Sequence, residues 1–209
     1  GSNAEELKQS LRQIGRSSIR ATHTVNQLLA LARAESSGSA MARSACDLAD
    51  LTMSVVRDCA PRAIAKHLDL GYEGLQPGSE GGQLTGNPTL LKELIRNLVD
   101  NAIHYTPNGG VVTARVLVDP FSGVQILQVE DTGPGIPENE RELVLQPFYR
   151  ALGTNVDGSG LGLAIVKEIV DKHGATLTID FARQPNALAP NERPGTLFTI
   201  RFSVPEATA

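Results

Sequence analysis

A long amphipathic helix is predicted at residues 88–105. Asn87 followed by Pro88 is a strong helix start, because asparagine caps free backbone N–H groups and proline fits the first turn. Apolar residues then recur at helical spacing and form one continuous stripe: Leu90, Leu91, Leu94, Ile95, Leu98, Val99, Ala102 and Ile103. A stripe this wide must be covered, so the fold has to place a sheet or further helices against it.

The segments around this helix alternate between strand and helix patterns. Period-two apolar runs predict strands at 67–72, 111–118, 124–129, 176–181 and 196–204. Further helices are predicted at 161–173 and at 47–66, where Asp47 is the cap and Pro61 a kink or stop. Strands interleaved with helices and ending in a hairpin predict an α+β fold, a two-layer sandwich with a mixed sheet covered by helices on one face.

The first 39 residues differ from the rest of the chain. Residues 1–4 resemble a remnant of an expression vector, and residues 5–35 predict one helix whose narrow apolar stripe requires a partner helix. Residues 36–39 are rich in serine and glycine and predict a linker. The predicted domain boundaries are therefore a helix and linker at 5–39 and one α/β domain at 40–209.

Composition excludes several classes of function. The net charge of −4, without a basic stripe, gives no reason to expect a nucleic-acid partner. No apolar run reaches the roughly 20 residues that a transmembrane helix needs. Cys46 and Cys59 have neither the spacing of a metal site nor that of a disulfide framework.

One flank of the predicted helix at 88–105 is polar. Glu93, Asn97 and Asn101 follow each other at i, i+4 steps and therefore stack on one face. Two asparagines one turn apart can hold a magnesium ion through amide oxygens while the ion keeps several waters. The alternative is an ordinary solvated flank.

An acidic residue stands where an apolar strand ends. Asp131 is followed by Gly133 and Gly135 in the sequence DTGPGI, and two prolines stiffen the turn. A carboxylate held there can accept hydrogen bonds from a ligand amine. The glycines allow another group to approach the backbone closely. The alternative is a tight turn capped by the aspartate.

The sequence GSGLGL at 158–163 opens the last predicted helix. Closely spaced glycines at a helix N-terminus expose backbone N–H groups, which suits a polyphosphate. The alternative is a loop that is merely flexible. The pattern matches neither the dinucleotide fingerprint nor the GxxxxGK[ST] phosphate loop.

A long connection at 138–157 precedes these glycines and is typical of a lid or binding loop. Within it, Arg150 can reach a terminal phosphate. Phe148 and Tyr149 are interpreted as aromatic residues that pin the segment to the body of the domain. Further on, Thr196 begins the last strand, where it bonds either a ligand or a neighbouring strand.

Taken in order, these motifs resemble the histidine-kinase branch of the Bergerat ATP-binding superfamily, which also includes Hsp90, gyrase B and MutL. ELIRNLVDNAIHY at 93–105 resembles the N box, and DTGPGI at 131–136 resembles the G1 box. PFYR at 147–150 is similar to the F box, and GSGLGL at 158–163 to the G2 box. Gly195 and Thr196 match the last nucleotide-contacting strand, so the likeness covers nearly the whole chain.

The resemblance implies a role for each matching residue. Asn97 would ligate Mg²⁺, with Asn101 near the phosphates, and Glu93 would orient water or assist transfer. Asp131 would receive the adenine amine of ATP or ADP with help from Thr196. The further nucleotide-contacting residues implied are His104, Tyr105, Gly133, Gly135, Ile136, Phe148, Arg150, Gly158, Ser159, Gly160, Leu161, Gly162 and Leu163.

The resemblance has two departures. Family members carry a phosphoacceptor histidine in a His-Asp/Glu-x-Arg-Thr-Pro segment, and the context of His23 lacks the acidic residue, the arginine and the proline. Residues 26–35 resemble instead the second helix of the dimerisation hairpin, so we expect the acceptor to lie outside this fragment. His104 stands where relatives often have Lys or Arg, which predicts a weaker or pH-dependent phosphate contact.

The activity implied is that of an ATP-dependent protein-histidine kinase, with a fragment unable to autophosphorylate alone. The partners implied are a response-regulator receiver domain, the protein's own phosphoacceptor helix and a second copy in a homodimer. The location implied is the cytoplasmic portion of a bacterial inner-membrane protein, whose membrane segments are missing here. Residues 147–163 look most like sensor kinases of the tricarboxylate-uptake type. Two alternatives stay open, namely another Bergerat-fold ATPase and a non-catalytic module for dimerisation and docking.

Overall fold

The computed structural model describes residues 43–149 and 160–202, together with four helical positions, Thr22, Val25, Leu29 and Ala32. The rest of the predicted helix at 5–35, the linker at 36–39 and residues 150–159 lie outside the described residues. The strands of the described ranges are β1 (Ser44–Asp47), β2 (Asp69–Gly74), β3 (Gln83–Gly86), β4 (Val111–Val118), β5 (Gln125–Asp131), β6 (Thr176–Phe181) and β7 (Thr196–Phe202). The α-helices there are α1 (Leu48–Ala65), α2 (Pro88–Tyr105) and α3 (Gly162–Lys172), and 3-10 turns lie at Glu138–Glu140, Leu143–Leu145 and Pro185–Ala187.

Five strands form a mixed sheet in the order β2-β4-β5-β7-β6. β2 and β4 run parallel, and the other neighbours run antiparallel. Alternate residues of the central strands are buried and share one apolar core with the three helices. The prediction of an α+β fold with helices on one face of a mixed sheet is confirmed.

The opposite face of the sheet carries a cluster of charged residues. Arg115 on β4 lies between two carboxylates of neighbouring strands, with Nε donating to Glu73 Oε2 at 2.7 Å and Nη1 to Glu130 Oε2 at 2.5 Å. Opposite charges on adjacent strands favour this register. Glu130 therefore points away from the core, while its neighbour Asp131 points toward it.

Helix α2 follows its prediction closely. The Asn87 side chain accepts from Leu90 N at 3.0 Å, and the helix ends at Tyr105 because Thr106 precedes a proline and adopts an extended backbone. The predicted stripe is buried with the exception of the half-exposed Leu90. No helix of the described ranges is long and apolar enough to cross a membrane.

Helix α1 begins at the predicted cap, since Asp47 Oδ1 accepts from Asp50 N at 3.0 Å. Pro61 does not stop it, because the carbonyl deprived of a donor belongs to the exposed residue Arg57. The following strand begins at Asp69 and not at the predicted residue 67. His67, at φ +53°, closes the helix in a left-handed turn in which its N–H donates to Ile64 O.

The short pair β1 and β3 was not predicted. Ser44 to Asp47 pair antiparallel with Gly86 to Gln83, and each strand has only four residues. Strands this short show too little alternation to be seen in a sequence. They tie the start of α1 to the start of α2.

A half-buried histidine joins the end of α3 to the start of α2. His173 Nε2 accepts from Asn87 N at 3.1 Å, and its Nδ1 lies 2.8 Å from Ile169 O. This arrangement needs a neutral ring with the proton on Nδ1. Burial lowers the pKa of His173, the charge of Arg43 lowers it further, and the bond to Ile169 opposes the shift.

We expect this contact to make the fold less stable in acid. Because the pKa is lower in the folded state, the contribution is complete above the unfolded value of about 6.5 and is lost as the pH falls through the folded value. Denaturant unfolding between about pH 8 and pH 5 should show a steeper loss for the parental chain than for His173→Gln. Equal slopes in the two proteins would contradict this.

Candidate nucleotide-binding site

Asp131 occupies a core position at the end of β5. Its side chain is 3% exposed, and Oδ1 accepts from Gly133 N at 2.7 Å and from Thr196 N at 3.2 Å. Burial raises the pKa of Asp131, and the hydrogen bonds from Gly133 and Thr196 oppose that rise. The carboxylate is thus fixed in orientation by the backbone of two separate segments. A fixed, buried acceptor of this kind can select a ligand that presents N–H donors.

Three glycines let these segments meet. A Cβ on Gly133 would lie 2.8 Å from Asp131 Oδ1, and one on Gly195 would lie 2.0 Å from the Asp131 carbonyl oxygen. Gly135, at φ +78°, has the Phe181 ring 2.8 Å and Pro194 Cγ 2.9 Å from its Cβ position. The expected close approach at Gly133 and Gly135 therefore exists, and it is the protein's own backbone and side chains that approach.

The C-terminal end of α2 borders the same turn. The Tyr105 carbonyl oxygen lies 3.1 Å from the Cβ position of Gly133, and the rings of Tyr105 and His104 meet edge to face at 5.0 Å. Ile136 is half-buried against the core on the other side of the turn. The structure thus brings Tyr105, Gly133, Asp131 and Thr196 together.

The polar flank of α2 is partly buried and is not simply solvated. Asn97 is 6% exposed, and its Nδ2 donates to Glu93 O at 2.9 Å and to Glu93 Oε1 at 3.0 Å. These two bonds orient the amide so that Oδ1 is directed away from the Glu93 carboxylate. Asn101 is half-buried one turn further along the same face.

Asn97 fits a magnesium ion that shares its shell with a ligand's phosphates. No group of three or more His, Cys, Asp or Glu side chains in the described ranges could hold a metal ion. Mg²⁺ in proteins commonly uses one or two protein oxygens, several waters and substrate phosphates. The oriented amide oxygen of Asn97 is a donor of that kind.

The loop at Phe148 meets the glycine-rich segment through the backbone. Phe148 N donates to Gly160 O at 2.8 Å, and a Cβ on Gly160 would lie 2.9 Å from Phe148 Cα. The Phe148 ring is 62% exposed, so the interpretation that this side chain pins the loop is wrong. Phe148 also has φ +64°, which is costly for an aromatic residue. The contact of this residue with Gly160 is therefore made by its backbone, and its ring is exposed.

At the start of α3, backbone groups and not side chains are available to a ligand. Leu161 is fully buried and Leu163 is nearly so, because both pack in the core, and the helix begins at Gly162. Any ligand contact of these residues must therefore involve their N–H groups. Arg150, Gly158 and Ser159 lie outside the described residues.

Sequence reasoning missed the residues that close the turn from behind. Phe181 and Pro194 pack against Gly135, and Gly195 N donates to Gly133 O at 3.0 Å. These contacts join segments 46 to 62 residues apart, for which a single sequence carries no signal. The sequence indicated only, through Gly133 and Gly135, that some group approaches the backbone of this turn.

Comparison with known proteins identifies the family. Residues 86–207 match the family described as histidine kinase-, DNA gyrase B- and HSP90-like ATPase. Sensor protein QseC of Escherichia coli O157:H7 is 36% identical over 177 residues, 85% of this chain and 37% of QseC. Sensor histidine kinase RppB of Synechocystis sp. is 34% identical over 210 residues, 98% of this chain and 43% of RppB. The chain thus spans about two fifths of the length of these relatives.

A solved structure has the same fold. The mycobacterial sensor histidine kinase MprB superposes with a TM-score of 0.62 at 34% identity, over 77% of this chain and 96% of that one. The fold and the resemblance to sensor histidine kinases are therefore confirmed. The finer likeness to kinases of the tricarboxylate-uptake type stays a prediction.

Proposed function

Because the chain belongs to the family of histidine kinase-, DNA gyrase B- and HSP90-like ATPases, we propose that it is the ATP-binding catalytic domain of a two-component sensor histidine kinase. The observation that carries this proposal is the buried Asp131 carboxylate, held at a strand end by Gly133 N and Thr196 N. A buried acceptor beside a glycine turn suits the amine of an adenine ring. The names of the relatives, which are sensor kinases, support the same assignment.

Asp131 would recognise the base. A carboxylate can accept about four hydrogen bonds, and the backbone donors from Gly133 and Thr196 use part of that capacity. The exocyclic amine of adenine would use another part. Gly133, Gly135 and Thr196 shape the pocket wall, and Ile136, His104 and Tyr105 would border the nucleotide from either side.

The phosphates would lie between α2 and the start of α3. Asn97 would hold Mg²⁺, which neutralises charge on the phosphates when bound. Glu93 orients Asn97 and would assist transfer, with Asn101 near the phosphates. Gly160, Gly162 and the N–H groups of Leu161 and Leu163 would form the cradle together with Phe148, Arg150, Gly158 and Ser159.

The chemistry would be a transfer of the γ-phosphoryl group of ATP to an imidazole nitrogen. The N–P bond forms as the bond between the γ-phosphorus and the bridging oxygen breaks, and ADP leaves with that electron pair. The chain's contribution is to bind and align ATP. The accepting histidine would belong to a phosphoacceptor helix outside this fragment, and the group would pass onward to a response-regulator aspartate.

The remaining assignments describe the whole protein. We propose that residues 5–39 are the second hairpin helix with a linker, and that residues 40–209 are the catalytic domain. The parent protein would be a homodimer anchored in a bacterial inner membrane, with this portion in the cytoplasm. Its partners would be its own phosphoacceptor helix and a receiver domain, and not nucleic acid.

Calorimetric titration with ADP, with and without magnesium, tests the proposed function. We expect binding in the micromolar range, about −8 kcal/mol, and tighter binding when magnesium is present. Inosine diphosphate is the matched control, because its base carries a carbonyl where adenine has the amine. A well-folded sample that binds neither nucleotide would contradict the proposal.

A further inference from the structure

The side chain of Lys66 lies against the last turn of α2. Its Nζ donates to Ile103 O at 2.7 Å and to His104 O at 2.5 Å. The last carbonyls of an α-helix have no partner within the helix, and a cation there interacts favourably with the helix dipole. Because Ala102 O already accepts from Thr106 N, Lys66 serves the two carbonyls that follow.

The residues next to Lys66 hold the segment that follows α2. His67 O accepts from Gly109 N at 2.9 Å, and Asp69 N donates to Gly110 O at 2.9 Å. The turn from α1 to β2, residues 66–69, thus contacts the segment 103–110 through one side chain and two backbone bonds. Of these contacts, only those of Lys66 reach the helix itself.

The last turn of α2, which Lys66 binds, lies next to the residues that hold the buried Asp131. Tyr105 follows the two carbonyls that Lys66 binds, and its own carbonyl oxygen is 3.1 Å from the Cβ position of Gly133. Gly133 N in turn donates to Asp131 Oδ1 at 2.7 Å. The two backbones therefore lie so close that a side chain on Gly133 would press on Tyr105, and a displacement of the last turn of α2 changes the surroundings of Gly133 and of the carboxylate that Gly133 N holds.

We propose that Lys66 is a positioning residue for recognition of the adenine base. Its ammonium group fixes the last turn of α2, and that turn holds Tyr105 and Gly133 in the places that aim Asp131 at the ligand. The inference rests on the proposed function, since it assigns Lys66 to the same nucleotide site. The proposal gives Lys66 no contact with base or phosphate, since its Nζ binds the carbonyls of Ile103 and His104.

The test compares Lys66→Met with Lys66→Arg in the 209-residue chain. Methionine is unbranched and only one atom shorter than lysine, and it removes the N–H donors. Arginine keeps the N–H donors and the positive charge. Lys92→Met is the matched control, because Lys92 Nζ bonds Ser54 Oγ and Asp58 on the α1–α2 surface. For each protein we would measure the dissociation constants of ADP and inosine diphosphate, with unfolding curves alongside.

We expect ADP affinity to fall about tenfold in Lys66→Met, with most of the preference for ADP over inosine diphosphate lost. Lys66→Arg should restore both, and Lys92→Met should change neither. A role limited to stability would lower the unfolding midpoint and leave the base preference intact, which would overturn the inference. Should Lys66→Met not fold, Lys66→Gln, with a neutral donor, must still show a reduced base preference.

The outcomes separate the two proposals. A parental chain that binds ADP, together with a Lys66→Met variant of unchanged affinity and base preference, would refute the inference alone. A parental chain that folds and does not bind ADP would refute the proposed function and the inference with it.

Discussion

Asp131→Asn is expected to weaken ADP binding by at least about 10²-fold and to leave the fold intact. The asparagine Oδ1 can still accept from Gly133 N and Thr196 N, which hold Asp131 Oδ1 at 2.7 and 3.2 Å. That orientation places the asparagine NH₂ group where, in the proposed function, the carboxylate would face the adenine amine. Two donors then oppose each other in a buried site, and neither has a partner.

The same substitution should stabilise the protein without ligand. Burial raises the pKa of Asp131 above its ordinary value, so the charged form is disfavoured in the folded state at neutral pH. A group with a raised folded pKa stabilises the fold fully only below its unfolded pKa of about 3.9, and this contribution is lost as the pH rises through the folded value. The free energy of unfolding at pH 7 should therefore be higher for Asp131→Asn, and the difference should shrink in acid.

Two controls make the result specific. Glu130→Gln removes a neighbouring carboxylate that pairs with Arg115 on the opposite face of the sheet, and it should bind ADP as the parental chain does. Inosine diphosphate presents a carbonyl to the introduced NH₂ group, so Asp131→Asn should reverse the base preference. Unchanged ADP affinity in Asp131→Asn would show that Asp131 does not contact the nucleotide.

The sequence predicts those parts of the fold that depend on local pattern. Helix α2 was predicted because its cap, its proline and its apolar stripe all lie within 19 consecutive residues, 87–105. Asp131 was predicted as a site residue because a carboxylate follows an apolar strand directly and precedes a turn of two glycines and two prolines. The order of the glycine motifs then indicated the family.

Contacts between distant segments could not be predicted. Gly195 lies against the Asp131 carbonyl, and Phe181 lies against Gly135, yet nothing near either glycine in the sequence specifies its partner. The start of β2 was wrong by two residues because His67 adopts a left-handed turn that glycine more often occupies. The role of Phe148 was wrong because its ring points outward and its backbone makes the contact with Gly160.

Asn97→Ala is expected to remove the magnesium-dependent part of the nucleotide affinity, about 10- to 100-fold. The amide is held by two bonds from its Nδ2 to Glu93, so its oxygen is already oriented before any ligand arrives. Alanine at this position keeps the helix and deletes that oxygen. The dissociation constant of ADP for this variant should then be the same with magnesium and with a chelator. Both values should be close to that of the parental chain in the presence of chelator.

Arg96→Ala is the matched control, because Arg96 precedes Asn97 on α2 and pairs with Asp58 on the surface at 2.7 Å. It should retain the full effect of magnesium. The two site variants should also fail in opposite ways: Asn97→Ala keeps the preference for ADP over inosine diphosphate, and Asp131→Asn keeps its response to magnesium. The opposite result, in which Asn97→Ala lost the base preference and kept the magnesium response, would contradict this assignment. It would mean that the face of α2 that carries Asn97 borders the base and not the phosphates.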